Sequence, residues 1–229
     1  MSGALARIAD EVVDCRACPR LVTWRERVAV DKTARFASDT YWARPVPGFG
    51  DPSARILVLG LAPAAHGGNR TGRIFTGDRS GDFLFASLHR VGLASQATSV
   101  ARDDGLRLRD CYVAAVVRCA PPGNKPTPQE RDRCLPFLER ELSALEEVHV
   151  IVTLGAFAWD GAIRALAARG DVQRPKPRFG HAAEASIGET TLLGCFHPSQ
   201  QNTFTGKLTE EMIDAVFSRA RSLVDQESG

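Results

Sequence analysis

Three residues of this chain have side chains suited to acid–base and hydrogen-bond chemistry and sit where loops leave apolar runs: Asp78, Asn124 and His197. A carboxylate can activate or position water or stabilise a cation. An amide and an imidazole can hold a polar group as charge develops on it. Taken singly, each has a plainer reading. Asp78 stands just ahead of a helix start and would cap it, Asn124 lies in a turn-forming stretch, and a lone histidine is usually structural. Their convergence is what would make a site.

The loops that carry them are unusual in composition. Leu61 to Asp82 (LAPAAHGGNRTGRIFTGDRSGD) holds five glycines, which allow close backbone approach to a planar or anionic ligand. It has neither the Gly-Lys-Ser/Thr of a phosphate loop nor GxGxxG spacing. Arg118 to Pro128 is stiffened by four prolines, and His197 to Gly206 is a histidine followed by small and amide side chains. Six cysteines form a second constellation, at 15, 18, 111, 119, 134 and 195. Cys15-Arg-Ala-Cys18 has the spacing at which two thiolates share a metal site, and Cys119 and Cys134 lie 14 residues apart in between-residue count. Zinc and a four-thiolate iron–sulfur cluster both remain open on this spacing, beside unrelated core thiols. Cys111 and Cys195 fall in strands and read as core.

The elements that must position these groups follow from periodicity. Continuous apolar runs at 55–60, 112–117, 148–154 and 191–196 have the pattern of strands buried on both faces of a parallel sheet. Helices are predicted over 4–13, 80–91, 156–168 and 207–224, the second stopping at Gly92. Thr127-Pro-Gln-Glu130 is a capping box that opens another, kinked at Pro136. The stretch after the first helix reads as irregular, and 184–196 as a hairpin with a Gly188-Glu189 turn. The fold class is α/β: a single three-layer domain, 1–229, with a mostly parallel central sheet flanked by helices.

Composition bounds the rest. At 229 residues, 44% hydrophobic and 24% charged, the chain is neither disordered, collagen-like nor a coiled coil. No apolar run reaches the roughly 18 residues of a membrane span, and charges interrupt the N-terminal stretch where a secretory signal needs apolar residues. The expected location is cytoplasmic, associated with the nucleoid. The net charge of +2 permits nucleic-acid contact without arguing for it. Only four of the 29 basic residues are lysines, which with the abundant alanine reads as a GC-rich genome.

The motifs resemble the uracil-DNA glycosylase superfamily, and within it the family 5, or type-B, enzymes that carry iron and sulfur. The similarity lies in Gly60 to Ala64, Asn69 to Asp78, Arg118 to Pro128 and His197 to Gly206, and extends over nearly the whole chain. It implies a monofunctional glycosylase that flips a damaged base out of DNA and hydrolyses its N-glycosidic bond. By that resemblance Asp78 acts on the water or the cationic sugar, His197 donates to uracil O2, and Asn124 bonds the base or the water. Phe75 would stack on the base, with Gly60, Ala62 and Pro63 as pocket wall. Ser199, Gln200, Gln201 and Asn202 would enter the DNA groove. Cys15, Cys18, Cys119 and Cys134 match the family's ligands for a structural 4Fe-4S cluster, with no catalytic metal. Family 4 enzymes carry an uracil-reading asparagine at a second-strand position that corresponds here to Ala114. Its absence implies activity on hypoxanthine and modified pyrimidines too. Damaged DNA, a monomeric state and downstream abasic-site repair enzymes complete the expectation. Two other readings are a phosphoester hydrolase, which the loop composition disfavours, and a metal-stapled DNA-damage-binding module without catalysis.

Overall fold

The computed structural model describes residues 3–226; residues 1–2 and 227–229, the ends of the span read as one domain, lie outside the described residues. Two helices lead, α1 Gly3–Asp14 and α2 Pro19–Val30, followed by β1 Phe49–Gly50, β2 Ile56–Gly60, α3 Gly68–Thr71, α4 Arg79–Arg90 and β3 Cys111–Ala115. The second half runs α5 Pro128–Ala144, β4 Val150–Leu154, α6 Ala156–Ala168, β5 Glu184–Ile187, β6 Thr190–Cys195, α7 Gln200–Phe204 and α8 Glu210–Gln226. The sheet order is β1-β3-β2-β4-β6-β5. The four inner strands are parallel, with β1 and β5 antiparallel at the edges.

Alternation along each inner strand divides the core into two layers. Ile56, Val58, Val113 and Val152 face α4 and α8 through Leu84, Phe85, Leu88, Val216 and Phe217. Leu57, Leu59, Tyr112 and Ile151 face α1, α5 and α6 through Leu5, Leu138, Leu142, Trp159 and Leu166. Every residue of β2, β3 and β4 is buried, which is why these strands read as unbroken apolar runs. From β2 the chain crosses to β3 on one side and then back over β2 to β4 on the other. That reversal opens a crevice at the carboxyl ends of the strands.

The structure corrects several boundaries. The segment after α1, read as irregular, is helix α2, whose buried seam is Leu21, Val22, Arg25 and Val28. A charged residue in the middle of that seam breaks the apolar pattern from which a helix is recognised. β1 is a two-residue edge strand too short to show a period. α5 runs through Pro136, which lies on its exposed side, and α8 begins at Glu210, where the Thr209 hydroxyl accepts from Met212 N at 3.3 Å. The capping box is present, with Thr127 Oγ1 accepting from Glu130 N at 3.2 Å and Glu130 Oε2 from Thr127 N at 2.8 Å. Glu130 also pairs with Arg20 of α2 at 2.6 Å, so one side chain caps α5 and ties α2 to it.

Beneath the loop after β3 lies a buried ion pair, Arg118 with Glu141 of α5, where Nη1 donates to Oε1 at 3.0 Å and neither side chain is more than 2% exposed. Removing one partner strands the other charge in the core. Glu141→Ala is therefore expected to lose about 3–5 kcal/mol in urea unfolding, and replacing the pair together by Arg118→Met and Glu141→Leu to recover most of it.

Candidate active site and thiol cluster

Asp78 is both cap and site residue. Its backbone is extended, it is the N-cap of α4, and Oδ1 accepts from Gly81 N at 3.0 Å. That bond fixes the carboxylate's orientation. Burial pushes its pKa up from the ordinary value, opposed by the backbone N–H groups of Gly81 and Ser80 and by Arg70, while Asp82 pushes the same way as burial. Glycine at 67 is required because any Cβ there would collide with the carboxylate.

Phe75 and His197 form the adjoining wall. Phe75 has φ +52, uncommon for a bulky side chain, and its ring occupies the space a Cβ on Gly60 would need, at 2.7 Å. The ring centroids of Phe75 and His197 are 6.1 Å apart. His197 follows β6, and burial lowers its pKa to about 4, so the imidazole is neutral at physiological pH. Among the described residues neither ring nitrogen has a hydrogen-bond partner. Asn124 reaches the same place from the loop after β3, at φ +56.

Asp78, Phe75, Asn124 and His197 line one cleft of about 510 Å³, with Ala62, Ser199, Gln200 and Gln201. The expected convergence is what the fold produces. Three of the expected residues lie elsewhere. Gly60 sits behind the Phe75 ring, and Pro63 is buried against Gly68 rather than in the wall. Asn202 does not reach outward as a groove contact: its amide donates to the His197 carbonyl at 2.8 Å and holds that turn. Leu61, within the stretch Gly60 to Pro63 read as pocket wall, lines the cleft, and so do Ala64, Arg79 and Ser80, which had no assigned role. Arg79 and Ser80 had a signal in their place in the first turn of α4, directly after Asp78. The Arg79 guanidinium lies 5.1 Å from the Phe204 ring centroid, and Phe204 is exposed. Ala114 faces the α5 and α6 layer; the strand period puts its neighbour Ala115 on the Phe75 side, paired with Gly60 across β2 and β3.

The four expected thiols come from neighbouring segments: Arg25 bonds both the Cys15 carbonyl and Cys119, and the Arg118 N–H bonds Cys134. Cys15 lies in the turn after α1, Cys18 caps α2, Cys119 follows β3, and Cys134 is in α5. They are near enough to influence one another's ionisation: Cys15 acts on Cys18, Cys119 and Cys134. Burial pushes Cys119 up to about 11 and Cys134 up to about 12, opposed by Arg25 and Arg118 respectively. Arg25 Nη1 donates to Cys119 Sγ at 2.9 Å and Arg118 N to Cys134 Sγ at 3.3 Å. Among the described residues no three His, Cys, Asp or Glu side chains form a group that could hold a metal ion. One zinc would draw four sulfurs into a single tetrahedron at about 2.3 Å each, whereas a cubane takes each thiolate on a different iron. Cys111 and Cys195 are fully buried in the core. No described helix is long and apolar enough to cross a membrane.

Comparison with known proteins gives a match to the uracil DNA glycosylase superfamily over residues 47–221. The type-5 uracil-DNA glycosylase of Mycobacterium bovis is 54% identical over 97% of this chain and 82% of that protein. That of Thermus thermophilus is 52% identical over 91% and 93%. The type-4 uracil-DNA glycosylase of Archaeoglobus fulgidus is 36% identical over 49% of each chain.

The position of Asp78 sets a stability test. Because burial raises its pKa in the folded state, stability falls as pH rises through that value and is greatest where the carboxyl is protonated. Asp78→Asn keeps a good cap and removes the half-buried charge, so it should melt at or above the wild-type temperature at pH 8, with the gain vanishing on acidification. Asp78→Ala loses the cap and should cost about 1 kcal/mol.

Proposed function

Since the chain belongs to the uracil-DNA glycosylase superfamily, we propose that it hydrolyses the N-glycosidic bond of uracil flipped out of DNA, leaving an abasic site. The observation that carries this is the cleft in which an oriented, half-buried carboxylate and a neutral imidazole with free ring nitrogens face the same space.

In this reading the base lies against Phe75, and the sugar is on the Asp78 side. Water adds through its oxygen to C1′ as the C1′–N1 bond breaks, and the bonding pair leaves with the base. Asp78 orients the water, accepts its proton or stabilises the oxocarbenium-like sugar; each role needs the ionised carboxylate. His197, kept neutral by the desolvation that lowers its pKa, donates an N–H to uracil O2 as negative charge develops there, and no proton need be lost from an imidazolium. Asn124 supplies an amide to the base or the water. The segment Ser199 to Gln201 faces the DNA, with Asn202 as its internal brace. Ala115 on the Phe75 side of β3 leaves no amide to read the uracil edge, which supports a pocket that also takes hypoxanthine and modified pyrimidines.

Cys15, Cys18, Cys119 and Cys134 are proposed to hold a 4Fe-4S cluster. The fit is supported by a fully buried arginine, Arg25, that donates to one sulfur, has no carboxylate partner among the described residues, and leaves its Nε unpaired. Such a cluster would supply cross-linking of α1, α2, α5 and the loop after β3, and no step of the hydrolysis passes through it. One flipped nucleotide occupies one cleft, which is compatible with a monomer, and the abasic product requires enzymes that process abasic sites. A cytoplasmic location beside the nucleoid follows from the same activity.

Base release from duplexes holding one uracil, hypoxanthine or normal base, assayed in EDTA and revealed by alkali, is the direct test. Uracil and hypoxanthine should be released and normal bases retained; binding of uracil DNA without release would favour the binding-module reading. In single turnover Asp78→Asn and His197→Ala should each lose on the order of 10²–10³-fold. The wild-type rate should fall as pH drops through the raised pKa of Asp78 and be flat above it, since His197 is already neutral there.

Iron and zinc assay with visible absorbance on anaerobically purified protein checks the cluster: iron with a sulfur-to-iron band is expected, and colourless zinc protein would overturn it.

A further inference from the structure

Arg25, like Arg118, is among the largest fully buried side chains of the described residues, 1% exposed, and no carboxylate pairs with it among them. A buried cation without a counter-ion is costly. The acceptors its guanidinium has are Cys119 Sγ at 2.9 Å and the Cys15 carbonyl at 3.3 and 3.4 Å, and Nε has none. All of these belong to the thiol end of the molecule. By contrast the other fully buried guanidinium, that of Arg118, is neutralised by Glu141. The charge at Arg25 is thus supplied for something negative that four cysteines would create.

The backbone of the same residue points the other way. The Arg25 carbonyl accepts from Asn69 Nδ2 at 3.2 Å, and Asn69 is itself fully buried, with its Oδ1 unpaired. Asn69 belongs to the glycine-rich loop: its N–H donates to the Ala64 carbonyl at 3.0 Å, and Ala64 lines the active-site cleft. A single residue of α2 therefore touches a thiol ligand with its side chain and the pocket loop with its main chain.

We propose that Arg25 couples the thiol cluster to the active-site loop, its guanidinium serving as the buried counter-charge of the thiolate-bound cluster while its carbonyl anchors Asn69. Occupancy of the thiols then sets the order of residues 64–72. This rests on the cluster reading above. Arg25 is a positioning residue in this scheme and does not line the cleft.

The test uses the full-length protein purified without oxygen, as wild type, Arg25→Gln and Arg25→Lys, with circular dichroism confirming the fold of each. Under chelator, Arg25→Gln should lose iron and its visible band at least about tenfold faster than wild type, the loss typical of a broken outer-shell contact, with Arg25→Lys between them. Amide hydrogen exchange over residues 64–72 should quicken in Arg25→Gln and in wild type stripped of its metal, with α8 unchanged. Equal iron retention and unchanged exchange over 64–72 in Arg25→Gln would overturn the coupling while leaving the cluster in place. Should Arg25→Gln not fold, wild type stripped of its metal decides: exchange over 64–72 identical to that of the iron-loaded protein would overturn the proposal. A wild type without iron overturns the cluster reading itself, and that is seen before any variant is made.

Discussion

The four parallel inner strands are buried almost throughout, and the fully buried hydroxyl of Thr153 among them is spent on the Leu193 carbonyl, so the sheet offers little to a ligand. Chemistry is confined to where the strands end, and in a parallel sheet they end together. The glycine-rich loop follows β2, the proline-rich loop follows β3 and His197 follows β6, so the three segments meet at one edge as a consequence of strand direction. The crossover reversal about β2 supplies the gap between them.

At that edge one interaction serves structure and chemistry together. Capping α4 requires Asp78 to accept from Gly81 N, and the same bond holds the carboxylate in a single orientation toward the cleft. A cap on the surface would have an ordinary pKa; this one is half-buried in the cleft wall, and its ionisation is disfavoured. Phe75 adds a second cost at φ +52, and its ring fits only because residue 60 is glycine. Charge, strain and glycine together mark a segment selected for its ligand at the expense of stability.

Much of this was legible in the sequence because the relevant signals are local. Unbroken apolar runs gave the inner strands, Thr127-Pro-Gln-Glu130 gave the start of α5, and Gly188-Glu189 gave the β5–β6 hairpin. The convergence of Asp78, Asn124 and His197 could be read because parallel topology dictates it. What was not legible depends on side-chain direction or on tertiary partners. Asn202 resembles a surface amide in sequence but is spent on the His197 carbonyl. Pro63 faces Gly68 instead of the cleft, and Ala114 and Ala115 exchange faces through one residue of register. α2 was hidden by Arg25, whose burial makes sense only beside Cys119.

That last case separates two ways of holding a helix in place. α4 and α8 are held by apolar faces against the sheet, and their sequences announce it with a regular stripe. α2 buries Leu21, Val22 and Val28, and it is also held by polar ties: Arg20 to Glu130, Arg25 to Cys119, and the Arg25 carbonyl to Asn69. Apolar contact is non-directional and tolerates sliding, whereas these ties each specify a partner and an angle. The helix that joins the thiol end to the pocket loop is thus positioned by directional contacts as well as by apolar ones.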